Sequence, residues 1–267
     1  MSNEAPNVTV VKERLGFADG AVSVLRGGEG SPLLFLPAAG GAGAWHRTYE
    51  VLARRYDVSV PDYPGFGDSD DLPSVEAMDD LVYHCLDLMD RLDLERPIVV
   101  GASFGGWVAA ELAVHSPERL RGLVLLSPLG LHIPGEPIAD LFVMSPAERI
   151  HALFADVSNA AGLFPAEPDI DFILRAYRDL GGFARFAWQP YMHDPKLARR
   201  LHRITAPTLV AWPEGDRVVP RAHAERYASS IPGARFALIP RCGHALYLEQ
   251  PEAVAQVVST FLAEQQS

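Results

Sequence analysis

Ser103 lies at the centre of a glycine-rich segment that could hold a nucleophile. Gly101-Ala102-Ser103-Phe104-Gly105 follows the apolar run Ile98–Val100 and precedes small and apolar residues typical of a buried helix. A G-x-S-x-G match alone is weak, because glycine and serine are common residues. Between a strand and a helix, the same pattern predicts a tight, strained turn that places the serine hydroxyl above the end of the sheet. The hydroxyl then lies at the N-terminus of the helix, where developing negative charge is stabilised.

Two other interpretations of this junction are a simple connector with a serine N-cap and a phosphate-binding loop. A phosphate loop of the dinucleotide type needs G-x-G-x-x-G, and Ser103 interrupts that pattern. The glycines at Gly40–Gly43 also lack it, together with the later acidic residue that it requires. We therefore favour a nucleophile, provided that the chain supplies partners for it.

A serine hydroxyl is a weak nucleophile that needs a base, and the base needs a carboxylate to orient it. Of nine histidines, His244 alone follows a strand-like run, Arg235–Pro240. It therefore lies where the strand ends of a doubly wound sheet face a ligand. His132 begins a less regular region, and the remaining histidines fall in helical or irregular stretches, where packed or solvated side chains are the ordinary expectation.

Asp216 is the best candidate for the orienting carboxylate. It comes just after the buried run Thr208–Pro213, in a loop that stops at Pro220. Glu214 is its rival, and the position after the preceding strand carries Ser127 rather than an acid. We prefer Asp216 because the two residues between it and Pro213 let the loop turn back over the end of the strand. Ser103, Asp216 and His244 then occur in the order typical of this kind of serine site.

The elements that must position these residues alternate along the chain. Short apolar runs are separated by helical patterns, of which the segment Ser74–Leu92, with Ser74 as N-cap, is the clearest. This alternation predicts an α/β fold with a doubly wound, mostly parallel sheet of about eight strands. It fails between residues 130 and 204, which we interpret as an inserted helical cap. The core then comprises residues 1–129 and 205–267.

Composition restricts the class of protein. The formal net charge of -11 and the pI of about 5.2 disfavour nucleic acid and anionic membranes as partners. The two cysteines suit free thiols in a reducing compartment. The N-terminal segment has no apolar run, so we expect no signal peptide and a cytoplasmic protein. A homodimer is compatible with the sequence, which does not itself specify an oligomeric state.

The combined motifs resemble those of the α/β-hydrolase superfamily, in particular its capped members, over nearly the whole chain. Besides the serine turn, Asp62–Ser69 resembles the D-x-P-G-x-G-x-S loop, Trp212–Pro220 resembles the W-G-x-x-D-x-x-x-P acid loop, and Cys242–His244 with Leu248–Pro251 resembles the histidine loop. Pro213 stands where glycine is usual. The resemblance implies a Ser103-His244-Asp216 triad that works with neither a metal nor an organic cofactor.

One departure concerns the oxyanion hole, the pair of N–H groups that receives the negative charge of an acyl-transfer intermediate. Members of the family usually carry His-Gly after the third strand, whereas this chain has Pro37-Ala38 there. By position, the donors are the main-chain N–H groups of Phe104 and Ala39. Proline cannot donate, and the bracing role of the family histidine is lost.

The resemblance leaves the reaction open. A serine rather than an aspartate at position 103 favours acyl transfer, and our preferred reaction is hydrolysis of a small or medium carboxylic ester or lactone. The alternative is carbon–carbon hydrolysis of a vinylogous diketone of the meta-cleavage-product type. Members with that activity tend to carry tryptophan after the histidine, where this chain has Ala245. Thioester cleavage, and a non-catalytic receptor role on the same fold, are further alternatives.

The substrate is expected to be a small molecule with an apolar portion, because the cap region is rich in aromatic residues. Three cap residues are candidates for contact with it: Trp188, Tyr191 and Met192. The competing interpretation of these side chains is packing between cap and core.

Overall fold

An eight-stranded sheet forms the centre of the computed structural model, which describes residues 8–165 and 167–265. Its strand order is β1-β2-β4-β3-β5-β6-β7-β8. β2 pairs antiparallel with β1 and β4, and the other neighbours pair in parallel. The predicted fold class is confirmed. The strands are β1 Val10–Phe17, β2 Gly20–Gly27, β3 Ser31–Leu36, β4 Tyr56–Pro61, β5 Ile98–Ala102, β6 Gly122–Leu126, β7 Thr208–Pro213 and β8 Arg235–Ile239.

Helices cover both faces of this sheet. They are α1 Arg47–Ala53, α2 Met78–Arg91, α3 Phe104–His115, α4 Pro146–Leu153, α5 Ile170–Ala187, α6 Leu197–Arg200, α7 Arg221–Ser230, α8 Leu246–Glu249 and α9 Pro251–Glu264. Within the described residues, no helix is both long and apolar enough to cross a bilayer.

The central strands β3, β5, β6 and β7 are apolar on both sides because each side of the sheet packs against helices there. In β3, Leu33 and Phe35 join the core formed with α1 and α9, whereas Leu34 and Leu36 join the larger core formed with α2 and α3. All four side chains are fully buried. This is the arrangement that continuous apolar runs predict for a parallel sheet.

The chain between β6 and β7 contains α4, α5, α6 and short 3₁₀ turns. Among its described residues, strand-like pairing is limited to one bridge between Gly130 and His193. The division into a core and a cap at residues 130 and 204 stays a prediction.

The predicted start of α2 was wrong. The helix begins at Met78 with Ala77 as N-cap, and the side chain of Asp80 accepts hydrogen bonds from the N–H groups of Glu76 and Ala77. The Ser74 N–H instead donates to Asp19 at 2.9 Å, which ties this segment to the β1–β2 turn. Asp80, in the first turn, accepts from the N–H of the N-cap residue as the carboxylate of a capping box does, so this helix begins without a serine at its N-cap.

A buried carboxyl group in α3 leads to a stability prediction. The Trp107 indole donates to Glu111 at 3.0 Å, and burial raises the pKa of Glu111 from 4.5 to about 7. The folded state therefore keeps a proton that the unfolded chain releases at lower pH. We expect the free energy of unfolding to fall as the pH rises from about 4.5 to about 7, with this group contributing up to about 3 kcal/mol.

Glu111→Gln keeps an acceptor for Trp107 and cannot ionise, so it should remove this contribution. Urea unfolding at about pH 5 and about pH 8 measures the difference. The control is Glu118→Gln, which alters an exposed carboxylate just beyond the same helix and should leave the pH dependence unchanged. An equal pH dependence in wild type and Glu111→Gln would contradict the prediction.

Candidate active site

Ser103 occupies the turn between β5 and α3. Its φ angle is +53°, a left-handed conformation that is unfavourable for a residue with a side chain and costs of order 1–3 kcal/mol. The turn is held by the main chain, since Ser103 N–H donates to Leu126 O at 2.9 Å and Ser103 O accepts from Leu129 N–H at 3.1 Å. The side chain is 6% exposed. The strained turn expected from the sequence is therefore present.

The glycines around Ser103 are required by close backbone approaches. A Cβ atom added at Gly101 would lie 2.3 Å from Gly105 O, and one added at Gly105 would lie 2.1 Å from Leu36 O. At Gly106, the nearest atom would be the Cβ of Pro128, at 2.7 Å. The first turn of α3 therefore packs directly against β5 and the end of β3, which leaves no room for side chains at these positions.

Ser103, His244 and Asp216 form a buried hydrogen-bonded relay. Ser103 Oγ lies 2.8 Å from His244 Nε2. His244 Nδ1 lies 3.0 Å from Asp216 Oδ2 and 3.2 Å from Oδ1. The His244 and Asp216 side chains are 2% and 3% exposed. With Nδ1 protonated and donating to the carboxylate, Nε2 faces the serine as a proton acceptor, which is the arrangement that a serine nucleophile needs.

The Asp216 carboxylate is held ionised by its surroundings. Burial on its own would raise the pKa of Asp216, but the nearby His244, with hydrogen bonds from His244, Ser127 and Val219, outweighs it and holds the pKa below its usual value. The main-chain N–H groups of Val218 and Val219 donate to Oδ1 at 2.8 and 2.9 Å. Charged acceptors are stabilised by such convergent donors.

Sequence reasoning passed over Ser127 because it is not a carboxylate. The structure places its hydroxyl against both Asp216, to which it donates, and His244 Nδ1, at 3.1 Å. The residue that follows β6 therefore contacts both Asp216 and His244, although it is a serine and not an acid.

Glu249 is a second residue of the site that sequence reasoning gave no role. It is 8% exposed and accepts a hydrogen bond from Gly243 N–H at 2.6 Å, directly before His244. It also accepts from the N–H groups of Ala155 and Asp156, after α4. One carboxylate thus joins the histidine loop to the segment inserted between β6 and β7. Its place in the motif Leu248–Pro251 was the available indication.

The loop after β3, predicted to carry the oxyanion donor Ala39, is braced from the β4 side. The Tyr63 hydroxyl donates to Pro37 O at 2.9 Å, and Asp62 accepts from Ala42 N–H at 2.7 Å. Asp62 is 4% exposed and also accepts from Asp68 N–H at 3.2 Å. These contacts hold the loop on both sides of Ala39 without the usual family histidine. Phe104, the other predicted donor, is the first residue of α3, where an N–H group has no partner within the helix.

Aromatic side chains enclose the Phe104 ring beside the nucleophile. Tyr63 and Phe183 contact it edge-on, each with a centroid distance of 5.3 Å. Phe66 and Phe186 lie roughly parallel to it at 6.1 and 6.0 Å. Because Phe183 and Phe186 belong to α5, this helix forms an apolar wall next to the serine turn.

The three predicted substrate-contact residues lie in different environments. Met192 is fully buried, and Trp188 is 59% exposed, with its ring edge-on to Phe142 at 5.4 Å. The Tyr191 hydroxyl donates to Asp140, and burial together with this bond raises the pKa of Tyr191. Substrate contact by these residues stays a prediction.

Comparisons with known proteins agree with this geometry. The profile of the alpha/beta hydrolase family matches residues 33–257. A 2-hydroxy-6-oxo-6-phenylhexa-2,4-dienoate hydrolase of Burkholderia cepacia is 28% identical, and the alignment covers 98% of each chain. The polyketide synthase ThaQ of Burkholderia thailandensis is 31% identical over 97% of this chain, which spans only 13% of that protein.

Among solved structures, a 2-hydroxy-6-oxo-6-phenylhexa-2,4-dienoate hydrolase from a Rhodococcus strain superposes with a TM-score of 0.78 at 24% identity. The match covers 96% of this chain and 99% of that one. At this level of identity, the superposition demonstrates a shared fold. Together with the family match over most of the chain, it identifies the protein as a member of the alpha/beta hydrolase family whose Ser103, His244 and Asp216 are arranged as a triad.

Proposed function

We propose that this protein is a serine hydrolase that cleaves a carbon–carbon bond in a vinylogous diketone through an acyl-enzyme on Ser103. The buried relay of Ser103, His244 and Asp216 carries the proposal of serine-based hydrolysis. The full-length similarity to dienoate hydrolases supports the carbon–carbon reaction over the ester hydrolysis that the sequence alone favours.

The relay accounts for formation of the acyl-enzyme. His244 Nε2 removes the Ser103 proton while Oγ adds to the ketone carbon, and Asp216 stabilises the resulting imidazolium. The oxyanion is received by the N–H groups of Phe104 and Ala39. Each such donor contributes about 3–4 kcal/mol to stabilising the transition state.

Bond cleavage depends on where the departing electrons go. In a 2-hydroxy-6-oxohexa-2,4-dienoate, transfer of the hydroxyl proton to C5 gives a ketone at C2. When Ser103 has added to C6, the C5–C6 bond can break because its electron pair is delocalised through the C3–C4 double bond onto the C2 oxygen. The proton taken from Ser103 neutralises that oxygen. Water, activated by His244, then attacks the acyl-enzyme, releases the acid and returns the proton to Ser103.

Ester hydrolysis is the second candidate, and the surroundings of α5 favour it. A dienoate carries a carboxylate, which needs a cation in the pocket. In the described chain, the arginines of α5 are turned to the loop after β4: Arg175 and Arg185 pair with Asp68 and Asp71, and Arg178 donates to main-chain carbonyls of that loop. The wall facing Phe104 is aromatic, which suits an uncharged acyl group.

A substrate panel separates the two reactions. We expect kcat/KM for 2-hydroxy-6-oxo-6-phenylhexa-2,4-dienoate, followed by loss of its visible absorbance, to exceed the value for every member of a series of p-nitrophenyl esters of increasing chain length. A higher kcat/KM for an ester would replace the carbon–carbon proposal with ester hydrolysis. If neither class is hydrolysed and a fluorophosphonate does not label Ser103 in the folded protein, serine-based hydrolysis itself is refuted.

A further inference from the structure

Ser127 is a buried hydroxyl directly beside the relay. It follows β6, is fully buried, and has a φ angle of +47°, in the left-handed region. Its N–H donates to Ala211 O at 3.0 Å, so the main chain is still paired with β7 at this point. A left-handed backbone at a serine costs free energy, and residues strained in this way cluster at functional sites. We therefore look for a role of Ser127 beyond packing.

The contacts of Ser127 Oγ indicate that role. The hydroxyl has one proton, which it donates to Asp216 Oδ2, and its lone pairs face His244 Nδ1 at 3.1 Å. The other carboxylate oxygen, Oδ1, is held by the N–H groups of Val218 and Val219. Asp216 is therefore fixed at both oxygens. Without Ser127, Oδ1 keeps its two main-chain donors, whereas Oδ2 is left with His244 Nδ1 alone.

We infer that Ser127 is a positioning residue, whose hydroxyl holds the Asp216 carboxylate in the plane that receives the His244 N–H. The inference rests on the proposed serine hydrolysis and extends it by a residue that acts through Asp216 and does not touch the substrate. Loss of this hydroxyl lets the carboxylate rotate about Oδ1, so the imidazole is aimed less well at Ser103.

The rate at which a fluorophosphonate labels Ser103 tests this role without knowledge of the substrate. We expect labelling of Ser127→Ala and Ser127→Gly to be about tenfold slower than that of wild type, which corresponds to loss of one hydrogen bond to a charged group. Glycine tolerates the left-handed backbone, so it separates loss of the hydroxyl from added strain. Ser59→Ala is the matched control: Ser59 is also fully buried on the sheet, and its hydroxyl has no hydrogen-bond partner within the described chain.

Two further measurements distinguish positioning from a general structural effect. In an Asp216→Ala background, removal of the Ser127 hydroxyl should have no further effect, because the acceptor that it holds is gone. The downfield proton resonance of the His244 Nδ1–H should also shift in Ser127→Ala. Unchanged labelling in folded Ser127→Ala and Ser127→Gly, or an equal loss in the Asp216→Ala background, overturns the inference. Absence of labelling in wild type would instead refute the proposed function.

Discussion

Replacing Ser103 with alanine should lower the rate of hydrolysis by roughly 10⁴-fold or more, with little change in stability. In the proposed mechanism the hydroxyl forms the acyl-enzyme, and His244 has no other nucleophile within hydrogen-bond distance on its Nε2 side among the described residues. The residual rate would come from substrate binding and oxyanion stabilisation alone. The methyl side chain of alanine occupies the same left-handed turn, so we expect the fold to be kept.

Single-turnover kinetics with the better substrate from the panel measure this loss, and thermal unfolding checks that the variant is folded. Mass spectrometry of the quenched reaction should show an acyl adduct on wild type and none on Ser103→Ala. The control is Ser116→Ala, which removes a buried hydroxyl at the far end of α3 and should leave the rate unchanged. A Ser103→Ala variant that keeps most of the wild-type rate would exclude Ser103 as the nucleophile.

The parts of the site that sequence reasoning found are those with local signatures. Ser103 and Asp216 follow fully buried strands, His244 follows the edge strand β8, and strands of a parallel sheet end at one edge. Continuous apolar runs and the glycines around Ser103 specify that sheet and its tightest turn. The fold class and the juxtaposition of these three residues could therefore be predicted without a structure.

The parts that it missed depend on contacts between distant segments. Ser127 meets Asp216 and His244 from 89 and 117 residues away, and a single serine after a strand has no distinctive pattern. The hydrogen bond from Ala42 N–H to Asp62 joins residues that are 20 positions apart. Such a brace follows from the packed geometry of two loops, which hydrophobic periodicity does not encode.

The reaction is the feature that the sequence determines least, for a physical reason. A relay of this kind can form an acyl-enzyme from an ester or from a ketone, and the two reactions differ in how the leaving group disperses its negative charge. We expect that difference to depend on the side chains near Ser103, such as Phe183 and Phe186 of α5, which pack against Phe104. The sequence of that segment has helical periodicity but no motif for a substrate. Similarity to whole dienoate hydrolases supports the proposed carbon–carbon reaction, which local patterns did not favour.

Gly105→Ala should be among the most destabilising single substitutions in the chain, with a loss of at least about 4 kcal/mol in the free energy of unfolding. The added Cβ would lie 2.1 Å from Leu36 O and 2.4 Å from Pro37 O, and both are main-chain atoms that cannot rotate away. The clash can be relieved only if α3 moves away from β3. That movement would also separate the Phe104 N–H from the loop of Ala39, so any folded fraction should lose activity as well.

Urea unfolding and the fluorophosphonate labelling rate of the remaining folded protein measure the two effects separately. Gly40→Ala provides a matched control three residues beyond Pro37: a Cβ there would meet nothing within 4 Å, and its backbone is not left-handed. We expect that variant to keep the stability and labelling rate of wild type. A Gly105→Ala protein as stable as Gly40→Ala would mean that α3 is not pressed against β3, and the steric account of the G-x-S-x-G turn would then be wrong.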